Sequence, residues 1–318
     1  MPKDTTGTAG IDTGKDTLDA AVHGTDRRFK VDNVEAGWQR LAAELAEAGV
    51  SRVGIEATGG YERGVTRYLQ DKGFTVLVLQ PLQVRSFAKL HLCRAKTDRI
   101  DAALIAACTH VLEPQARTPD PRLDALVDQL TFIEQVEADI VRLKTRLEHI
   151  CDPRLQEIVS GDIKTLRARR ADELRRLLKA VHEHADLAKR LKLVLSVPGI
   201  GERTALALIL RMPELGDISR EQAAALAGLA PFVQQSGHWA GQAHIAGGRS
   251  RLRRSLYAAA LPAAFRWNPA LKTLYERLVK RGKAHTVALV ACARKLLVFA
   301  NAVLARGTPW TETPAGAA

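Results

Sequence analysis

Four carboxylates in the first third of the chain have the types and spacing to do chemistry. Asp12 lies in GIDTGKD, Glu56 in GIEATGGY, and Asp98 and Asp101 in KTDRIDA. Asp12 and Glu56 belong to apolar, strand-like segments. Asp98 and Asp101 are three apart, on one face of a helix. A carboxylate in an apolar strand costs free energy unless it is paired or binds a cation. Four hard oxygen donors meeting at one sheet edge suit Mg²⁺ or Mn²⁺. Two such ions about 3.5–4 Å apart bridge a scissile phosphate and stabilise both its attacking and its leaving oxygen. Each acid also has an ordinary reading: Asp12 as a turn cap, Glu56 as a partner of Arg63, Asp98 as a first-turn helix acid. Asp16 and Asp19 compete with Asp12 for its place.

A second set of residues carries positive charge. The 318 residues hold 47 Lys and Arg against 35 Asp and Glu, a net of +12. Residues 1–110 are nearly balanced, with 15 basic and 14 acidic side chains. Residues 236–306 hold 13 basic side chains and one acid, Glu276, so this segment alone matches the whole imbalance of +12. Its natural partner is a polyanion, because neutralising phosphates releases counterions. Gly248 precedes Arg249, Arg251, Arg253 and Arg254, a turn opening an Arg-rich helix suited to phosphate contact. Arg294 and Lys295 stand in an otherwise apolar helix and join the same expected groove. Gly199 and Gly201, in PGIGERTALALIL, open another helix whose backbone N–H groups suit a DNA phosphate. Trp239 fits either base stacking or packing.

The elements that must position these groups follow from periodicity. Residues 8–34 alternate as short strands, 37–49 and 61–72 have helical spacing, and 51–57 and 74–80 read as buried strands. Helices follow near 82–90 and 97–110. This β-β-β-α-β-α-β-α order predicts a mixed α/β domain over 1–114 and matches the ribonuclease-H-like order. Leu126, Gln129, Ile133, Val136, Ile140, Leu143, Leu147 and Ile150 then form a heptad seam. Leu174, Leu177, Val181, His184, Ala188, Leu191 and Leu195 repeat it, with His184 as a core or rim position. A coiled-coil helical hairpin over 115–193 is expected, packing on itself or on a second subunit. Residues 194–306 read as an all-α domain interrupted by a Gly-rich insert at 235–250, and 307–318 as a disordered tail.

Taken together, GIDTGKDTLDAAV, GIEATGGYERG and AKTDRIDAALIA resemble the RuvC-like domain of DEDD transposases of bacterial insertion sequences, the insertion-sequence-110 family. LAGLAPFVQQSGHWAGQAHIAGGRSRLRRSLYAAAL and the following helices resemble that family's C-terminal transposase domain. The resemblance runs from about residue 8 to residue 306. It implies an enzyme that cuts and rejoins donor and target DNA, guided by a structured RNA encoded in the element. Asp12, Glu56, Asp98 and Asp101 carry over as the metal-binding acids. Ser236 carries over as the nucleophile of the family's S-G motif, in a site shared between subunits of a dimer or tetramer. By its own sequence context Ser236 reads as a turn serine before Gly237, with Ser250, Ser255 and Tyr257 as rivals. The chain departs from the family pattern at Gln235, His244 and Ala246, which touches how the serine is oriented.

Two other readings stand beside this one. A junction endonuclease using water needs the four acids but not Ser236. A nucleic-acid-binding scaffold needs neither. No apolar h-region opens the chain, and no uncharged apolar run of membrane-spanning length occurs. Cys93, Cys108, Cys151 and Cys292 lack C-x-x-C spacing, which fits a reducing cytoplasm and argues against a zinc site.

Overall fold

The computed structural model describes residues 7–91, 98–112, 120–232, 235–236, 239–240 and 244–311; of 98–100, 235–236 and 239–240 it describes the backbone. Two compact units emerge, 1–118 and 119–318. The expected boundary at 114/115 lies outside the described residues.

The first unit is built on a five-stranded sheet. Its strands are β1 (Gly7–Thr13), β2 (Thr17–Val22), β3 (Arg28–Asp32), β4 (Val50–Glu56) and β5 (Thr75–Leu79). They lie in the order β3-β2-β1-β4-β5. β1, β2 and β3 form an antiparallel meander, while β4 and β5 run parallel to β1. Among the described residues four helices accompany the sheet: α1 (Glu35–Glu47), α2 (Arg63–Asp71), α3 (Pro81–Leu90) and α4 (Asp98–Val111). Alternation assigns the faces. Ile11 and Ile55 point into a core completed by Leu41 and Leu45 of α1 and Val65 and Leu69 of α2. The opposite face carries Gly10 and Gly54, and α4 lies against it. A Cβ on Gly10 would meet Ala106 N at 2.2 Å and Ala102 O at 2.4 Å, and one on Gly54 would meet Thr109 Oγ1 at 1.7 Å. Two glycines on adjacent strands therefore let a helix backbone approach where side chains would hold it off. Gly10→Ala is expected to destabilise this unit by about 1–3 kcal/mol through overpacking, measured as a lowered denaturant midpoint; an unchanged midpoint would contradict this packing.

The second unit is helical. α5 (Pro121–Leu147) and α6 (Pro153–His182) form a hairpin. Each starts with an aspartate cap, Asp120 or Asp152, followed by proline at the first helical position. Gln129 donates to Glu173 at 3.2 Å, and Val136 and Ile140 pack with Val159 and Ile163, so the pair is antiparallel. The only polar member of the first seam thus finds a partner across it. The second heptad run is not one helix. α6 ends at His182, and α7 (Ala185–Leu195) begins after a break at Glu183–His184. His184 is the N-terminal boundary residue of α7 rather than a seam position. Asp186 in the first turn of α7 pairs with Arg122 at 2.9 Å, holding the new helix against the start of α5.

α8 (Glu202–Arg211) and α9 (Arg220–Leu226) follow. Next come four two-residue strands, β6 (Pro231–Phe232), β7 (Gln235–Ser236), β8 (Trp239–Ala240) and β9 (His244–Ile245). α10 (Ser250–Pro262), a π turn (Ala263–Trp267), α11 (Pro269–Lys280) and α12 (His285–Arg306) complete the unit. One core runs from Leu126 and Leu177 of the hairpin through α8 to α10 and α12. No packing break therefore falls at 193/194, where the sequence placed a domain boundary. The tail also starts later than expected. Trp310 lies 4.3 Å from the Phe299 ring and its backbone N–H donates to Ser196 Oγ at 2.8 Å, because the indole still gains apolar contact. α12 is long and apolar enough to match a membrane span, yet over half of it is buried in this core.

Candidate active site

Strand register brings two of the four acids side by side. Ile11 pairs with Ile55, so Asp12 and Glu56 are the next residues on neighbouring parallel strands, on the face that α4 covers. Both are partly buried, and both engage other groups of the protein. Glu56 is opposite Leu79 of β5, and Asp12 is opposite Asp19 of β2. Asp19 in turn faces Lys30, 3.2 Å away, which neutralises it. That ion pair separates Asp19 from Asp12, its rival in the sequence.

α4 supplies the other two acids. Asp101 immediately precedes Ala102, whose carbonyl rests against Gly10, and Gly10 is two residues before Asp12 on the same face. Asp98 starts the helix one turn earlier; its side chain lies outside the described residues. Among the described residues no three His, Cys, Asp or Glu side chains converge as a metal site. The donor set still fits a hard divalent ion: all four groups are carboxylates, and backbone, not side-chain flexibility, gathers their elements at one sheet edge.

A clamp that sequence reading missed ties this edge together. Asn33 Nδ2 donates to Gly14 O at 3.0 Å, just after β1, and to Tyr61 O at 3.1 Å, in the loop after β4. Asn33 Oδ1 accepts from Trp38 Nε1 at 2.9 Å. Gly64 makes room for that indole, since a Cβ there would meet Trp38 Cη2 at 2.4 Å. One amide thus joins the loops following both strand carboxylates. The β4 loop has its own anchor. The Glu62 carboxylate accepts from Gly60 N at 2.8 Å, Thr58 Oγ1 at 3.0 Å and Thr58 N at 3.2 Å. Burial pulls its pKa upward, but these hydrogen bonds together hold it below the usual carboxylate range. Asn33→Ala is expected to destabilise the first unit by about 1–3 kcal/mol and to speed amide exchange in both loops. Unchanged exchange after residues 13 and 56 would refute the clamp.

Ser236 belongs to the second unit. It sits on β7, opposite Trp239 of β8 in a short hairpin, with its side chain outside the described residues. The basic residues divide into tied and open groups. Arg249 forms an ion pair with Glu214, Arg251 pairs with Glu134 at 2.8 Å, and Arg253 donates to Gly247 O. Arg254 is exposed and has no ion pair among the described residues. Lys295 lies 5.1 Å over the Phe299 ring, and Arg294 is half-buried. Gly248, at φ +63°, abuts Gly228 backbone, where a Cβ would meet Gly228 N at 2.2 Å. Gly199, at φ +94°, abuts Ala263, whereas Gly201 opens α8 with free space around it. Close packing within the unit thus accounts for Gly199 and Gly248, and Gly201 and Arg254 are the open members of the set.

A family model for IS110-type DEDD transposases matches residues 9–160, and one described as the transposase IS116/IS110/IS902 family matches residues 191–276. The chain belongs to the IS110 family of transposases. Relatives of this IS110 transposase align along almost its whole length. A pilin gene-inverting protein of Moraxella bovis is 26% identical over 316 residues, covering 95% of this chain and 97% of that protein. Its namesake in Moraxella lacunata is 27% identical over 319 residues, with the same coverage. An IS110 insertion-element protein of Streptomyces coelicolor is 26% identical over 386 residues, covering 95% of this chain and 92% of its own. As an IS110 transposase the chain is a DNA-recombining enzyme, and its substrate is DNA.

Proposed function

We propose that this transposase cuts and rejoins DNA through a phosphoserine intermediate at Ser236, assisted by divalent metal at Asp12, Glu56, Asp98 and Asp101. The observation that carries the reading is the register of Asp12 beside Glu56 under a helix drawn in by Gly10 and Gly54. The strand order β3-β2-β1-β4-β5 supports the ribonuclease-H-like, RuvC-like assignment of the first unit. Mg²⁺ or Mn²⁺, when bound, supplies Lewis-acid stabilisation of charge on the phosphate.

The protein groups have distinct tasks. The four carboxylates would hold the cation, while Asn33 and Glu62 brace the loops after β1 and β4. The Ser236 hydroxyl attacks phosphorus. Its Oγ–P bond forms as a sugar P–O bond breaks, the hydroxyl proton departs, and a sugar hydroxyl is released. A hydroxyl from another strand then reverses the step and restores Ser236. No bond energy is lost, so no ATP is needed. Two relatives are described as gene-inverting. Inversion reseals each strand it cuts, which favours a protein nucleophile over water. A structured guide RNA supplies the base pairing, and the enzyme works as a dimer or tetramer.

Purified protein, Mg²⁺, RNA transcribed from the DNA flanking its coding region, and a junction substrate are expected to yield resealed recombinants without ATP. Omitting either RNA or Mg²⁺ removes the product. Open, hydrolysed ends as the sole product would instead establish the water-using nuclease.

A further inference from the structure

The second unit contains a cleft between α5, α8 and α10 whose charges do not balance. Glu134, with its side chain only 11% exposed, faces Arg203 at 3.1 Å, Arg211 at 2.8 Å and Arg251 at 2.8 Å. Glu137 takes Arg203 at 3.2 Å. Guanidinium groups stay protonated in proteins, so three positive charges share two carboxylates. Burial disfavours the charged form of Arg211, and Glu134 only partly opposes this. Arg203 Nη1 and Arg211 Nε are buried N–H groups with no acceptor among the described residues. A buried donor without an acceptor is costly, and more so on a charged group.

The surplus grows at the rim. Arg254 lies one helical turn from Arg251 and lines the same cleft, which has a volume of about 650 Å³. Two hydroxyls, Ser255 and Thr204, meet at 3.4 Å on its wall. The cleft is therefore lined by the Arg254, Arg251 and Arg203 guanidiniums and by the Ser255–Thr204 hydroxyl pair, around a net positive charge. An anion with several acceptor oxygens balances that charge, and arginine forks match phosphate geometry.

We infer that this cleft seats a backbone phosphate of a nucleic-acid strand, gripped by Arg254 and Arg203 with Ser255 and Thr204. The inference rests on the nucleic-acid reading of this enzyme and adds a specific seat to it. It also gives Glu137 a definite role: its carboxylate limits the positive surplus and so tempers the grip.

The test is a salt titration of full-length protein with fluorescently labelled duplex DNA and, separately, labelled hairpin RNA, read by anisotropy. Arg254→Ala is expected to weaken binding and to lower the slope of log affinity against log salt by about 1. Glu137→Gln is expected to tighten binding, a direction that loss of structure would not produce. The probe on which these changes appear identifies the strand that occupies the cleft. Thermal melts accompany both variants; Arg254 is exposed, so its replacement leaves the fold intact and decides alone if Glu137→Gln melts early. Wild-type affinity and slope for Arg254→Ala on both probes would overturn the phosphate seat and leave the enzyme's nucleic-acid binding standing. Wild-type protein that binds neither probe in a salt-dependent way would overturn the nucleic-acid reading itself.

Discussion

Ser236→Ala is expected to abolish the covalent protein–DNA species that the unsubstituted protein forms on junction DNA, and to slow strand exchange by about 10³-fold or more. Alanine removes the only oxygen that, on this account, bonds to phosphorus. Water cannot replace it productively, because a hydrolysed end no longer holds the energy for rejoining. Binding of DNA should survive, since the basic side chains of α10 and α12 are untouched. Labelled DNA run on a denaturing gel separates the outcomes. Label that migrates with the protein only when Ser236 is present agrees with the account. Equal label on the Ser236→Ala variant would move the nucleophile elsewhere, to Ser255 or Tyr257 among the nearby candidates.

The second large effect is on the carboxylates. Asp12→Asn and Glu56→Gln keep shape and hydrogen bonding while removing one negative charge each. Either change is expected to cut the cleavage rate by about 10³-fold, roughly 4 kcal/mol of transition-state stabilisation. Asp19→Asn should do far less, because Lys30 at 3.2 Å already neutralises Asp19. That contrast is what register adds to the four-acid motif: Asp19 and Glu56 flank Asp12 on either side. Single-turnover cleavage over a range of Mn²⁺ concentrations measures it. Rates that fall equally for Asp12→Asn and Asp19→Asn would show that the ion pair does not distinguish the two positions.

How legible all this was depends on the range of the interaction. GID and GIE each encode a complete local instruction: a glycine toward a helix, an isoleucine toward the core, and an acid back on the helix side. Alternation alone exposes that pattern. The sheet and its helices follow from similar short-range periodicity. Asn33 was invisible for the opposite reason. Its partners are backbone carbonyls of Gly14 and Tyr61, which carry no sequence signal. Counting charge located the basic segment, but not its use. Glu134 and Glu214 lie far back in the chain, and they tie Arg251 and Arg249. The second heptad run misled because spacing continues across Glu183–His184 while the helix does not. The short, polar segment around Trp310 carries no sign of order, because its contact with Phe299 is non-local.

The central claim is that one serine becomes the temporary end of a DNA strand. The direct measurement is to trap the covalent species with Mg²⁺, digest it with nuclease and protease, and locate the nucleotide by mass spectrometry. The expected result is a single nucleotide-bearing peptide modified at Ser236. A nucleotide on another residue, or cleaved DNA with no modified peptide at all, would contradict it.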